Sequence, residues 1–141
     1  MAAESEHVKV FPARMDAFGE VSAFAAEVGA AAGLDHDVRL KLVLLLEELF
    51  TNTVAHGHGH DSAEPVRVAF GVAPGRVALT YEDTGPPHDP FAAIAAPDEG
   101  APVEHRRVGG IGVLLVAAMA RHVAYERREG RNRISLVVGP G

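Results

Sequence analysis

Residues 42–60 read LVLLLEELFTNTVAHGHGH, and the spacing within them decides what the rest of the chain must support. Leu42, Leu45, Leu46 and Leu49 recur at three- and four-residue steps, the mark of a helix with one apolar stripe. Glu48, Asn52 and His56 follow one another at strict four-residue steps, so they share a face, flanked by Leu45 and Leu49 with Thr53 beside it. A carboxylate, an amide and an imidazole in line are either the solvated stripe of an amphipathic helix or the polar wall of a site.

Outward from this helix, Asp35 is placed to cap its start, and the loop HGHGHDSAEP ends it after about Ala55. Upstream, Val8 to Phe11 alternates and predicts an edge strand closed by Pro12. Met15 to Ala32 predicts a helix, with Phe18, Val21, Phe24, Ala25 and Val28 inward and Gly33 just past its end. Downstream, Val66 to Ala73 and Arg76 to Glu82 predict a hairpin turning at Pro74-Gly75. Asp83-Thr84-Gly85-Pro86-Pro87-His88-Asp89-Pro90 then forbids regular structure.

The stretch from Phe91 to Val108 reads as a long loop, a lid or a disordered segment. Gly109-Gly110-Ile111-Gly112 opens an apolar helix, Val113 to Arg121. A second hairpin follows, Val123 to Arg128 and Ile134 to Val138, with Glu129-Gly130-Arg131-Asn132 as its turn. The order β-α-α-β-β-lid-α-β-β predicts an α+β, two-layer sandwich: a mostly antiparallel sheet with helices on one face.

Composition narrows the function. The 141 residues suit a single domain, 48% of them are hydrophobic, and there is no cysteine. Thiolate zinc sites and cysteine nucleophiles are therefore excluded. No membrane span and no secretion signal are visible, so a cytoplasmic location is expected. A net charge of -6 argues against direct nucleic-acid binding. Lysine is confined to Lys9 and Lys41, so a phosphate site would have to rely on backbone N–H groups or arginine.

Three elements then carry chemistry. Glycines opening a helix let the backbone and the helix dipole meet an anion, although they also simply allow close packing. There is no Walker-type phosphate loop. A carboxylate at Asp83 can accept from an exocyclic amine such as that of adenine, with Gly85 leaving room for a flat ring, or can make an ordinary Asx-turn. The Asn52 amide oxygen suits Mg2+, and Glu48 one turn earlier suits a general base, whereas Glu47 lies about 100° round the helix. The tract His56-Gly57-His58-Gly59-His60 is either mobile polar loop or a zinc or nickel site.

Glu48-x3-Asn52-x3-His56, then Asp83-x-Gly85, then Gly110-x-Gly112 resembles the GHKL superfamily with its Bergerat ATP-binding fold. The GPPHDP tail after Asp83 and the short chain resemble the anti-sigma-factor serine/threonine kinases. The resemblance spans roughly Val8 to Val138 in motif order and strand order. It implies an ATP-binding, Mg2+-dependent protein serine/threonine kinase that phosphorylates a serine of an anti-sigma-factor antagonist and sequesters a sigma factor. Residues 1–141 would form one histidine-kinase-like ATPase domain with an ATP lid at about 86–109. Glu48 would be the catalytic base and Asn52 the Mg2+ ligand. Asp83 and Gly85 would meet the adenine, and Gly110 and Gly112 the phosphates. His56 would join the nucleotide site. Arg107 is offered with Arg106 as a lid contact to the γ-phosphate or a partner, against a solvated charge run. A homodimer is implied by the resemblance alone. Pro87 stands where the superfamily often has glycine, and His88 where an aromatic usually follows. The rival function is a nucleotide-dependent interaction switch without phosphotransfer.

Overall fold

The computed structural model describes residues 5–57, 61–90 and 120–139. Five strands form one sheet: β1 (Ser5–Pro12), β2 (Pro65–Ala73), β3 (Arg76–Asp83), β4 (Ala120–Arg128) and β5 (Arg131–Val138). Their spatial order is β1-β2-β3-β5-β4 and every pairing is antiparallel. Helices α1 (Phe18–Ala31) and α2 (His36–Asn52) pack against one another and against one face of this sheet. The expected two-layer α+β sandwich is what forms.

The sheet follows from alternation. Val66, Val68, Phe70 and Val72 of β2, Val77, Leu79 and Tyr81 of β3, and Ile134, Leu136 and Val138 of β5 all point into the core and are nearly or wholly buried. Cross-strand pairing stacks them in rows, Tyr81 between Val68 and Ile134, and Leu79 between Phe70 and Leu136. The α2 stripe of Leu42, Leu45, Leu46 and Leu49 closes on these rows and is buried as its spacing predicts. Phe24 of α1 meets Phe70 edge-on with ring centroids 5.2 Å apart, and meets Phe11 at 6.1 Å. β1 is the edge strand foreseen, longer than expected and exposed along its length except at Phe11.

Asp35 sits at the α2 N-cap, as its position predicts, although its side chain makes no capping bond. Three boundaries differ from the sequence reading. Met15–Ala17 is a separate 3-10 turn, and α1 starts only at Phe18. After Asn52 the helix widens into a single π turn, Thr53–Gly57, so the four-residue repeat that aligned His56 with Glu48 and Asn52 holds only as far as Asn52. The apolar helix expected to run to Arg121 cannot do so, because β4 already starts at Ala120. The rest of that helix lies outside the described residues.

The second hairpin also turns earlier than its composition suggests. Only Glu129 and Gly130 are in the turn, with φ of 51° and 77°, both left-handed as a two-residue type I′ connection requires. Arg131 and Asn132 therefore belong to β5, where Asn132 pairs with Asp83 of β3 on one side and Arg127 of β4 on the other. The Gly75 N–H of the β2–β3 turn donates to the Ala32 carbonyl at the end of α1 at 2.6 Å and ties the sheet to that helix, and the Ala13 N–H donates to the Glu64 carbonyl at 2.9 Å just beyond the β1–β2 ladder.

Leu46 is fully buried where the α2 stripe meets the sheet. Leu46→Ala should lower the free energy of unfolding by about 2–5 kcal/mol, read by denaturant titration, whereas Leu44→Ala, at an exposed position, should change it by less than about 0.5 kcal/mol.

Candidate functional site

Asp83 is the last residue of β3, at the sheet end nearest the C-terminus of α2. Its carboxylate is held from three directions. Oδ2 accepts from the Thr53 hydroxyl at 2.7 Å. Oδ1 accepts from the Gly85 N–H at 3.1 Å and from Asn132 Nδ2 at 2.9 Å. The Gly85 bond is the Asx-turn that the sequence offered as the alternative reading, and here the turn and the pocket use the same side chain. A carboxylate has about four lone-pair positions, so three protein donors leave one for a ligand amine.

Thr53 is buried, and its Oγ1 lies 2.7 Å from the Tyr81 hydroxyl, 2.7 Å from Asp83 and 3.0 Å from the Leu49 carbonyl. A hydroxyl has one proton to give. Burial holds the Tyr81 phenol well above the usual tyrosine range, with the Asp83 charge adding to this and the Thr53 bond partly opposing it. Tyr81 is thus a neutral donor, Thr53 accepts from it, and the Thr53 proton goes to Asp83 or the Leu49 carbonyl. The carboxylate is the shorter and the stronger acceptor. Thr53 still follows the repeat of α2, with αR backbone and an N–H to the Leu49 carbonyl, and the π turn begins with it.

A cavity of about 150 Å³ opens beside these groups, walled by Leu49, Asn52, Thr53, Tyr81, Asp83, Pro86, Pro87, His88, Pro90, Asn132 and Ile134. Leu49, Ile134 and the prolines offer apolar surface for a flat ring. Asp83, Thr53, Asn52 and Asn132 offer the few polar groups that would orient it. Asn52 is half-buried in this wall. Glu48, also half-buried, is one turn earlier on α2 and outside the wall. Gly85 is buried. The His56 backbone lies in the π turn. Arg106, Arg107, Gly110, Gly112, His58 and His60 lie outside the described residues, and with them most of the expected lid and the histidine tract. No group of three or more metal-ligating side chains occurs among the described residues.

Asn132 was missed by sequence reasoning, because an asparagine two residues after a glycine reads as turn. It is 4% exposed and makes more bonds than any other side chain of the site. Nδ2 donates to Asp83 and, at 2.8 Å, to the Pro86 carbonyl. Oδ1 accepts from the Tyr125 hydroxyl at 2.5 Å and from the His88 N–H at 3.1 Å. Arg127 adds a 2.6 Å bond to the Gly85 carbonyl. The only sequence signal was register: counting out from a two-residue turn at Glu129-Gly130 pairs Asn132 with Arg127 and so puts it in the strand, while its pairing with Asp83 comes from the separate β3–β5 alignment.

Comparison with known proteins gives this geometry a lineage. The family model described as the histidine kinase-like ATPase domain matches residues 11–138. The serine/threonine-protein kinase BtrW of Bordetella bronchiseptica is 28% identical over 101 residues, covering 70% of this chain and 69% of that protein. The structure of the RsbU and RsbW domains of a Mycobacterium tuberculosis protein superposes with a TM-score of 0.65 at 20% identity, covering 96% of this chain and 32% of that one. This chain thus spans about a third of that structure's length. The Acinetobacter baumannii histidine kinase AdeS superposes with a TM-score of 0.52 at 17% identity, covering 94% of this chain and 67% of that one. With the family model matched along nearly its whole length and the two-layer fold shared, the chain belongs to the histidine kinase-like ATPase domain family, with the fold of the GHKL superfamily.

Proposed function

We propose that this protein is an ATP-binding regulator that transfers phosphate to a serine or threonine of a protein partner. The observation that carries the nucleotide half is the Asp83 carboxylate, pinned by Thr53, Gly85 and Asn132 with one acceptor position to spare, at the wall of an apolar cavity. An acceptor fixed there selects an amine. Adenine presents one at the position where guanine presents a carbonyl oxygen, so the site discriminates by hydrogen-bond polarity. Leu49, Ile134 and the prolines would sandwich the base.

The residues present fit a Mg2+ nucleotide. Asn52 stands in the same wall as Asp83, one helical turn from Glu48, and its amide oxygen suits a hard cation. ATP supplies the transferable phosphate and Mg2+ the neutralising charge. Glu48 then accepts the proton of the partner hydroxyl as that oxygen becomes a nucleophile. Gly110, Gly112 and Arg107 are assigned to the phosphate end, and His56 to the rim of the site. The segment at about 86–109 is assigned as the lid of a single domain covering residues 1–141. Support for the kinase half is the likeness to BtrW, a protein named a serine/threonine-protein kinase, together with the Glu48–Asn52 spacing.

An anti-sigma role extends the same reading: the phosphorylated partner would be an anti-sigma-factor antagonist, and the sequestered one a sigma factor, by a homodimer in the cytoplasm. The likeness to a structure containing an RsbW domain supports the fold on which such a role rests. No helix among the described residues is long and apolar enough to cross a membrane. One observation favours the rival switch without phosphotransfer: Glu48 is outside the cavity wall. The two readings share the nucleotide site and part at Glu48.

Calorimetric titration with ATP and Mg2+ tests the site. Asp83→Asn should weaken ATP binding at least about tenfold, since it sets an amide N–H or a weaker acceptor against the base amine. Asn52→Ala should remove the gain in affinity that Mg2+ brings. Retained affinity in both variants would overturn the nucleotide reading. For catalysis, Glu48→Ala should keep ATP affinity within about threefold while phosphate transfer to the partner falls by about a hundredfold or more. An unmodified protein that binds ATP and its partner yet transfers nothing would establish the switch instead.

A further inference from the structure

Gly85 to His88 is the stretch of chain that leaves Asp83 and forms part of the cavity wall. It contains two prolines, so Gly85 and His88 supply its only backbone N–H groups. Both are used: Gly85 N–H on Asp83 Oδ1, and His88 N–H on Asn132 Oδ1 and the Tyr125 hydroxyl, at 3.1 and 3.2 Å. The Pro86 carbonyl is taken by Asn132 and the Gly85 carbonyl by Arg127. Asn132 therefore touches both the carboxylate and the chain that follows it, with its amide orientation fixed. Tyr125 and His88 demand the oxygen on one side, and Asp83 and Pro86 demand the nitrogen on the other.

Resting on the nucleotide reading above, we propose that Asn132, oriented by Tyr125, is a positioning residue for base selection. It holds the Asp83 carboxylate in the one rotation that leaves an acceptor facing the cavity, and it fastens Pro86 to His88 as the cavity's side wall. The Nδ2 bond at 2.9 Å and the Thr53 bond at 2.7 Å act on different oxygens of the carboxylate and so fix its plane. Without Asn132, Oδ1 keeps only the 3.1 Å bond from the Gly85 N–H, which lies on the very segment that Asn132 fastens, so the carboxylate is held less firmly, and His88 loses one of its two acceptors. Selectivity for an amine over a carbonyl at the base then weakens with affinity, because the acceptor is no longer aimed. Tyr125 acts one bond further out, on a partner 7 residues away across the β4–β5 hairpin.

The test combines titration with ATP and with GTP, amide hydrogen exchange and thermal unfolding, the last two without nucleotide. The proteins compared are the unmodified one and the variants Tyr125→Phe, Asn132→Leu, Asp83→Asn and Asp83→Asn/Asn132→Leu. Tyr125→Phe removes one hydroxyl and leaves the ring in place, so it keeps the fold if Asn132→Leu does not. The expected result is about a fivefold loss of ATP affinity for Tyr125→Phe and a tenfold or greater loss for Asn132→Leu. Both should narrow the ATP-over-GTP ratio and speed exchange at Gly85 and His88. Since Asn132 acts through Asp83, the double variant should bind ATP no more weakly than Asp83→Asn alone. A purely architectural role would lower the unfolding temperature with the ATP-over-GTP ratio intact and additive losses, and that result overturns the proposal while leaving the nucleotide site standing. Full ATP affinity in both Tyr125→Phe and Asn132→Leu does the same. No saturable ATP binding by the unmodified protein overturns the nucleotide reading and this inference with it.

Discussion

A half-buried carboxylate needs partners, and the Asp83 carboxylate obtains its partners from three separate parts of the chain. Thr53 comes from the widened turn after α2, Gly85 from the segment after β3, and Asn132 from β5. Each partner is itself held: Thr53 by Tyr81 and Leu49, Asn132 by Tyr125, His88 and Pro86. Polar groups in a low-dielectric setting are costly when unpaired, so such a network is stable only when all its members are in place together. That condition couples the end of the helix, the end of the sheet and the start of the following segment into one rigid corner.

The corner depends on register, and register depends on the apolar core. Asn132 faces Asp83 because β5 is aligned so that Ile134, Leu136 and Val138 meet Tyr81, Leu79 and Val77. A slip of one residue would turn every one of these side chains to solvent and carry Asn132 to the opposite face. Several valines and leucines thus fix the position of one asparagine. The left-handed pair Glu129 and Gly130 makes the same choice locally, since a two-residue turn leaves no freedom in how β4 and β5 align.

Outside the corner, the sheet's far side is sparsely charged in paired fashion. Glu82 lies 3.5 Å from Arg131 and 3.4 Å from Arg133, and Arg133 lies 3.6 Å from Glu126. Pairs with such exposed arginines add little to stability. The fold is carried by burial and the site by hydrogen bonds, and the two meet at Tyr81. Its ring packs in the core row while its hydroxyl feeds Thr53.

The sequence by itself determined the layers, and periodicity is the reason. Burial leaves a stripe at Leu42, Leu45, Leu46 and Leu49 and an alternation in β2, β3 and β5, and both are local patterns that survive without knowledge of contacts. Asp83-x-Gly85 was legible for a similar cause, since a carboxylate two residues before a glycine ends a strand and turns. The tertiary structure alone decided what Asp83 is bonded to. Asn132 is 49 residues away, Thr53 is 30 away, and neither stands out among its neighbours in the sequence. Asn132 read as a turn residue because asparagine beside glycine and arginine has turn composition, and only pairing with Asp83 and Arg127 moved it into a strand. The π turn was equally hidden. Thr-Val-Ala-His continues a four-residue repeat on paper, whereas the helix widens from Thr53 onward while Thr53 itself bonds to Tyr81 and Asp83 of the sheet, contacts that no local pattern records.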